Sequence, residues 1–242
     1  MRNLFLAALA AFFLPIAASA APPTSRAVDT AKPAVLRQSI DGVVDRNVVD
    51  LADELMSKSA SGNLRSVELF INSPGGDVLA GSIYISAMEV AKARGAKFSC
   101  SVPLLAASMA FSILAHCDKR YALEGALFLW HPPRVVTGNY PLTPRDAEIL
   151  ARDLATISKR MSDDLRKRLP MSVGAFWYHY NAETLHATPD LLALSPGWVT
   201  VVPDIKGITT LMPGKTNGPG DDEADGQYIP WRITYIWSEY GE

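Results

Sequence analysis

One serine in the middle of the chain, Ser108, is flanked by small and apolar side chains at residues 104–110. A serine hydroxyl becomes a nucleophile when a base takes its proton in the transition state, and histidine is the usual base. His131 suits this role, because it follows an apolar run at residues 127–130 and precedes two prolines that restrict the backbone. Together the two residues predict acyl transfer, although a serine among alanines is by itself more often a packing residue.

A glycine pair upstream of the serine could supply the donors that an acyl-transfer site needs. Gly75 and Gly76 end the sequence Ile-Asn-Ser-Pro-Gly-Gly at residues 71–76, directly after an apolar run. Because glycine has no Cβ, its backbone N–H can approach the oxyanion of a tetrahedral intermediate. The same Pro-Gly-Gly sequence after a strand is also typical of an ordinary turn.

These blocks, in this order, resemble the Clp protease proteolytic subunit family. The resemblance extends over residues 35–202, and its strongest blocks are residues 71–76, 106–109, 119–123 and 130–133. It implies an α/β fold of the crotonase-like β/α superhelix type, with a long handle helix that packs ring against ring in a barrel-shaped homo-oligomer. It also implies that Ser108 is the nucleophile, that His131 is the general base, and that the backbone N–H groups of Gly76 and Met109 form the oxyanion hole.

Two departures from the family pattern affect the predicted site. The family's third catalytic residue is an aspartate in an Arg-Asp block before the final helix, and this chain lacks that block. Glu183 is the best-placed substitute, with Asn181 and Asp190 as alternatives, since a carboxylate there would fix the tautomer of His131. Residues 103–105, Pro-Leu-Leu, stand where the family has a glycine-containing turn, so we expect the substrate backbone to approach differently.

Other interpretations of the polar residues remain open. His179, Glu183 and His186 have a spacing that would place them on one helical face and could bind zinc, but a solvated polar face is more common, and we expect no metal or cofactor. Lys119 would be the base of a membrane-associated Ser-Lys peptidase of the signal-peptide-peptidase kind. A third possibility is a catalytically silent scaffold that binds peptides or a membrane partner. We interpret His116 as a favourable charge at the C-terminus of a helix.

The elements that would position these residues alternate between strands and helices, which predicts a parallel sheet. Strands are expected at residues 35–40, 67–71, 97–104, 120–123, 127–130 and 199–202. Helices are expected from Asp41 or Asp45 to about residue 56, at residues 78–93, 106–115, 143–169 and 173–185, and briefly from Pro189. The helix at residues 143–169 carries an apolar stripe that needs a partner surface.

The N-terminus indicates where the protein works. Residues 1–20 combine a positive start, an apolar run of about eleven residues and an Ala-Ser-Ala pattern, which predicts a secretory signal peptide. We expect a flexible lead-in at residues 21–34, a peptidase domain at residues 35–205, and a Gly/Pro/acidic linker with an aromatic tail at residues 206–242. An exported, periplasmic protein would have no cytosolic ATPase partner. The sequence therefore predicts a serine endopeptidase that hydrolyses peptides or unfolded proteins without ATP.

Charge and cysteine content narrow the possibilities further. The net charge is −2, and the chain has no cluster of Lys and Arg interleaved with aromatic residues, so nothing favours a nucleic-acid partner. Two cysteines, Cys100 and Cys117, would reach an oxidising compartment, where they would either form a disulfide or remain as buried thiols.

Overall fold

A computed structural model describes residues 34–135 and 142–205, which form a sheet of eight strands with six helices packed around it. The predicted signal peptide at residues 1–20, the lead-in up to residue 33 and the linker and tail at residues 206–242 lie outside the described residues. Among the helices that are described, none is both long and apolar enough to cross a membrane.

The elements follow one another in a largely alternating order. The strands are β1 (Ala34–Val44), β2 (Leu64–Gly76), β3 (Lys97–Val102), β4 (Leu105–Ala107), β5 (Lys119–Ala122), β6 (Leu127–Leu129), β7 (His186–Ala187) and β8 (Thr200–Val201). The helices are α1 (Arg46–Ala60), α2 (Val78–Ala93), α3 (Met109–Ala115), α4 (Pro144–Arg168), α5 (Val173–Ala182) and α6 (Thr188–Leu194).

The long central strand β2 connects two parts of the sheet. It pairs in parallel with β1 along its whole length and with β3 over residues 66–70, whereas Ser73 near its end pairs with Ala106 of β4. Beyond β3 the sheet continues through β5 to β8, and beyond β4 it continues through β6 to β7. All these pairings are parallel except that of β6 with β7. The α/β class with a parallel sheet that the sequence predicts is confirmed.

Side-chain caps explain where several helices begin. Asp45, not Asp41, caps α1, and its carboxylate accepts the N–H of Asn47 at 2.9 Å. The long helix α4 begins with a capping box, in which Thr143 and Asp146 satisfy each other's backbone N–H groups. Pro144 occupies the first turn of α4, where its missing N–H costs no hydrogen bond.

The helix predicted at residues 106–115 is wrong in its first turn. Leu105–Ala107 is strand β4, Ser108 follows it, and helix α3 begins only at Met109. Strand pairing accounts for the difference, because Ala106 is bonded between Ser73 of β2 and Phe128 of β6. These contacts between distant parts of the chain override the high helix propensity of alanine.

The short strand β7 was not predicted, and the other elements differ from the prediction at their ends. Strand β1 begins at Ala34 and continues to Val44, beyond its expected end at residue 40, and β2 extends to Gly76, beyond its expected end at residue 71. Helix α1 continues to Ala60, where a loop was expected from residue 57, and its penultimate residue is buried. Helix α5 stops at Ala182, three residues earlier than predicted.

A disulfide crosslinks two elements in the middle of the fold. The structure joins Cys100 of β3 to Cys117, which follows α3, with 6.0 Å between their Cα atoms. Both residues are buried in the hydrophobic core, which also contains residues of α2 and α3. The disulfide therefore closes a loop that contains β4, Ser108 and the whole of α3.

Candidate active site

Ser108 occupies a sharp turn between a strand and a helix. It follows the last residue of β4 and precedes the first residue of α3, and its backbone has φ 56° and ψ −124°. Few residues other than glycine adopt such a positive φ, and they occur preferentially at functional sites. The flanking Ala106 and Ala110 are fully buried, so the turn leaves little space for larger side chains. A serine on a strained turn from strand to helix is how α/β-hydrolases expose their nucleophile.

The turn is attached to the strand that precedes the candidate base. The N–H of Ser108 donates to the carbonyl oxygen of Leu129 at 2.8 Å, and Leu129 is the last residue of β6. The carbonyl oxygen of Ser108 accepts the N–H of Ser112 at 3.1 Å, which begins the hydrogen bonding of α3. Because His131 lies two residues after Leu129, the same parallel ladder brings the serine and the histidine to one edge of the sheet.

The glycine pair lies against the serine. A Cβ atom on Gly75 would come within 2.5 Å of the Ser108 Cβ and 2.9 Å of the Met109 N, so only glycine fits there. The Gly75 N–H donates to the Ser73 Oγ at 3.1 Å. Gly76 packs on β1, where a Cβ would come within 2.3 Å of the Val44 carbonyl oxygen. The structure thus places the Pro-Gly-Gly end of β2 beside Ser108, while the oxyanion-hole role of Gly76 and Met109 stays a prediction.

His131 is positioned by its neighbours in the chain. Phe128 and Trp130 are buried in the core, whereas Leu129 and His131 are only half-buried, as expected for the opposite face of an extended segment. The His131 Nδ1 lies 2.6 Å from the carbonyl oxygen of Pro132. Since a carbonyl can only accept, Nδ1 carries the proton and donates it. The Nε2 of a neutral His131 is then left with a free lone pair, which is the form that a general base requires.

The surroundings of His131 favour the neutral form of its imidazole. Burial lowers the pKa of His131 below its ordinary value. The hydrogen bond to Pro132 and the charge of Glu183 oppose this effect, and the charge of Arg134 adds to it. The net result is a lowered pKa, so a larger fraction of the histidine is neutral near pH 7.

Glu183 lies on the same side of the fold as His131 but has another partner. It ends α5 in a left-handed conformation with φ 52°, and its carboxylate forms an ion pair with Arg134. Of the two alternatives, Asn181 is exposed on α5, and the charge of Asp190 acts on the pKa of His186. Glu183 is therefore the candidate whose charge reaches His131, and its role as the third catalytic residue stays a prediction.

The sequence predicts that His179, Glu183 and His186 share one face of a helix, but in the structure the helix ends before Glu183. Because α5 ends at Ala182, His186 lies in β7 and not on the helix of His179, although their ring centroids are 4.6 Å apart. Within residues 34–135 and 142–205, no group of three or more His, Cys, Asp or Glu side chains is arranged to hold a metal ion. Lys119, the base of the Ser-Lys alternative, is exposed at the start of β5 and pairs with Ser99.

The sequence did not reveal two ionic contacts. One is the Arg134–Glu183 pair, which joins residues 49 positions apart. The other is at His116, whose Nδ1 lies 2.8 Å from Glu89 of α2 and whose Nε2 lies 2.8 Å from Asp164 of α4. The predicted place of His116 at the end of α3 agrees with the structure, but its carboxylate partners come from distant helices. No local signal in the sequence indicates such pairs.

The family model described as Clp protease matches residues 26–176. The ATP-dependent Clp protease proteolytic subunit 2 of Rhodococcus jostii (strain RHA1) is 33% identical over 123 residues, which is 50% of this chain and 60% of that protein. The proteolytic subunit 1 of Corynebacterium jeikeium (strain K411) is 32% identical over 123 residues, or 50% of this chain and 62% of that protein. The similarity thus spans about three fifths of these relatives.

Proposed function

This chain belongs to the Clp protease family, and we propose that it is a serine peptidase that forms an acyl-enzyme on Ser108. The Ser108 Oγ attacks the carbonyl carbon of a peptide bond while the Nε2 of His131 takes its proton. The imidazolium then gives that proton to the leaving amine, and water releases the acyl group by the same route. The observation that carries this proposal is the strained turn at Ser108, which is bonded to Leu129 two residues before His131.

The remaining parts of the site are assigned as follows. The N–H groups of Gly76 and Met109 stabilise the oxyanion, and the contact of Gly75 with the serine turn supports this assignment. Glu183 acts behind His131 as the carboxylate that stabilises the imidazolium. Its support is the effect of its charge on the pKa of His131.

We further propose that the enzyme is exported and cleaves peptides or unfolded proteins without ATP. The signal-peptide pattern at residues 1–20 supports export, and the disulfide between Cys100 and Cys117 is suited to an oxidising compartment. An unfolded substrate such as casein should be cleaved equally fast with and without ATP. Cleavage that requires ATP and an added unfoldase would contradict this part of the proposal.

A covalent probe tests the nucleophile directly. A fluorophosphonate should add once to the native protein, as measured by intact mass, and peptide mapping should place it on Ser108. Ser108→Ala should lose the adduct and reduce peptide hydrolysis by about a thousandfold or more. Ser86→Ala removes an exposed hydroxyl from α2 and should leave both measurements unchanged. A folded protein that takes no adduct and cleaves no substrate would instead be the silent scaffold.

The pH dependence of labelling tests the base. Protonated His131 cannot accept the Ser108 proton, so the labelling rate should rise with pH as the imidazole loses its proton. Because burial lowers the pKa of His131, the midpoint should lie below 6.5, the ordinary value for histidine. Labelling rates measured between pH 4.5 and pH 8 should therefore reach a plateau near neutrality. A flat profile would exclude His131 as the base, and a midpoint above 6.5 would contradict the described environment.

A further inference from the structure

The residues around His131 form two contacts that compete with a complete catalytic triad. The Nδ1 of His131 donates to the carbonyl oxygen of Pro132 at 2.6 Å. The Glu183 carboxylate is paired with the guanidinium of Arg134, three residues after His131 in the chain. In a Ser-His-carboxylate triad, the same Nδ1 proton and the same carboxylate would bond to each other. Each group is thus present but bonded elsewhere.

Both partners of the ion pair act on the imidazole, which makes an exchange of partners feasible. The negative charge of Glu183 acts to raise the pKa of His131 and the positive charge of Arg134 acts to lower it, although burial keeps the net pKa below its ordinary value. The Arg134 side chain is 63% exposed, whereas that of Glu183 is 23% exposed. An ion pair whose arginine is mostly exposed contributes little free energy, so solvent can replace the arginine at small cost.

We propose that Arg134 is a positioning residue that competes with His131 for the Glu183 carboxylate and so sets the fraction of the enzyme with a complete triad. This inference rests on the proposed function of Ser108 and His131. While Glu183 is bound to Arg134, the Pro132 carbonyl alone holds the histidine tautomer. When Glu183 turns to Nδ1, its negative charge stabilises the imidazolium that forms in the transition state, which a neutral carbonyl does less well.

The sign of the effect follows from the charges. Removing the Arg134 cation leaves the Glu183 carboxylate free to bond to the His131 imidazolium in the transition state. Both the loss of a positive charge and the gain of a carboxylate favour the imidazolium, so the pKa of His131 should rise. To separate this shift from catalysis, labelling rates are compared on the plateau at high pH, where His131 is neutral in every variant.

The test is a double-mutant cycle on Arg134 and Glu183. Arg134→Gln should increase the plateau rate of fluorophosphonate labelling about three- to tenfold, and Glu183→Gln should decrease it. In the Glu183→Gln background, Arg134→Gln should no longer increase the rate. Arg134→Lys keeps a cation that can pair with Glu183 and should behave like the wild type. Arg65→Gln, which removes an exposed charge at the opposite end of β2, is the matched control and should change nothing.

A second readout does not depend on activity. Titration of the His131 ring followed by nitrogen NMR should show a higher pKa in Arg134→Gln than in the wild type. The increase should be smaller when Glu183→Gln is also present. An Arg134→Gln variant with unchanged or lower labelling rate and an additive cycle would overturn the inference, because the Pro132 carbonyl would then suffice. Absence of any Ser108 adduct would instead refute the proposed function, and the His131 titration alone would then decide the inference.

Discussion

Ser108 and Glu183 share an unusual positive φ, since their φ angles of 56° and 52° are the positive values found among non-glycine residues of the described chain. Such conformations persist only where surrounding contacts hold them. Ser108 is held by its bond to Leu129 and by the packing of Gly75. Glu183 ends a helix at a position that usually takes glycine or asparagine. Both residues were predicted site residues, so the strain coincides with the proposed chemistry.

Gly75 gives the sharpest test of the packing around the serine. Gly75→Ala places a methyl group where the Ser108 Cβ and the Met109 N already lie, at a φ of +94° that strains alanine. We expect the free energy of unfolding to fall by about 2–5 kcal/mol, the sum of backbone strain and overpacking. The variant that still folds should also label slowly at Ser108. Thermal unfolding and the fluorophosphonate labelling rate provide the two measurements.

A second variant, Gly95→Ala, distinguishes the effect of backbone strain from the effect of steric overlap. Gly95 has a similar φ of +100°, but no atom lies within 4 Å of its added Cβ. This control should lose only the strain contribution of about 1–2 kcal/mol and should label at the normal rate. Equal losses in the two variants would show that Gly75 is required for its backbone conformation alone and not for its contact with the serine.

At the scale of helices, an ionic cluster ties the long helix α4 to the rest of the fold. His116 at the end of α3 lies 2.8 Å from both Glu89 of α2 and Asp164 of α4. Arg168 contacts the same two carboxylates, and Lys92 donates to the His116 carbonyl oxygen. These contacts therefore bind the C-terminal part of α4 to α3, the helix that begins at the Ser108 turn.

Because Asp164 titrates, the contribution of this cluster to stability should depend on pH and can be measured. Burial raises the pKa of Asp164, but hydrogen bonds from His116 and Arg168 outweigh it and lower the pKa to about 2. A carboxyl with a lowered pKa stabilises the fold above its unfolded pKa, 3.8, and loses that contribution as the pH falls towards 2. Because its side chain is 41% exposed, we expect Asp164→Asn to lose only about 1 kcal/mol at pH 7.

The comparison with Asp163→Asn makes the test specific. Asp163 precedes Asp164 on the same helix and pairs with Lys159 on the exposed face, so its substitution should leave the melting temperature unchanged. The stability difference between wild type and Asp164→Asn should shrink from pH 4 to pH 2. A difference that persists at pH 2, or an equal loss in both variants, would show that the His116 cluster is not the cause.

The helices and strands show what the sequence can and cannot predict. Helix α4 was predicted within a residue at each end, because the proline at its first position and its apolar periodicity are local signals. Strand β4 was missed, because three apolar residues fit a strand or a helix equally until β2 and β6 are present to pair with them. The same limit applies at the site: Ser108 and His131 belong to local motifs, whereas the partner of Glu183 is set by packing between distant segments.

For the whole molecule, the apolar stripe on α4 is the surface for which the sequence predicts a partner. Ile149 and Ile157 are 37% and 43% exposed on a helix whose buried residues lie near its C-terminal end. We propose that this surface packs against further copies in a ring assembly of the kind that the family resemblance implies. Ile157→Glu should reduce the mass measured by light scattering, whereas Thr156→Glu on the exposed polar side should not. Equal masses for all three proteins would contradict this assembly surface.

The disulfide relates the stability of the whole chain to its proposed location. Cys100 and Cys117 are 17 positions apart, and the loop that they close contains the Ser108 turn. In the chain-entropy description, closing a loop of this size stabilises the fold by about 3 kcal/mol. We therefore expect the double variant Cys100→Ala/Cys117→Ala to unfold at a clearly lower temperature. The wild type treated with a reductant during unfolding should approach the same value.

The control for the double cysteine variant is the response of each protein to a reductant. The double variant has no disulfide to lose, so a reductant should leave its melting temperature unchanged while lowering that of the wild type. Protein recovered from whole cells that express the full chain should take up no alkylating agent after denaturation, and two equivalents once it is also reduced, as measured by intact mass. The same mass should show a chain that begins at Ala21 if residues 1–20 are the signal peptide that the sequence predicts. Two reactive thiols in a chain that keeps Met1 would contradict both export and the oxidised fold.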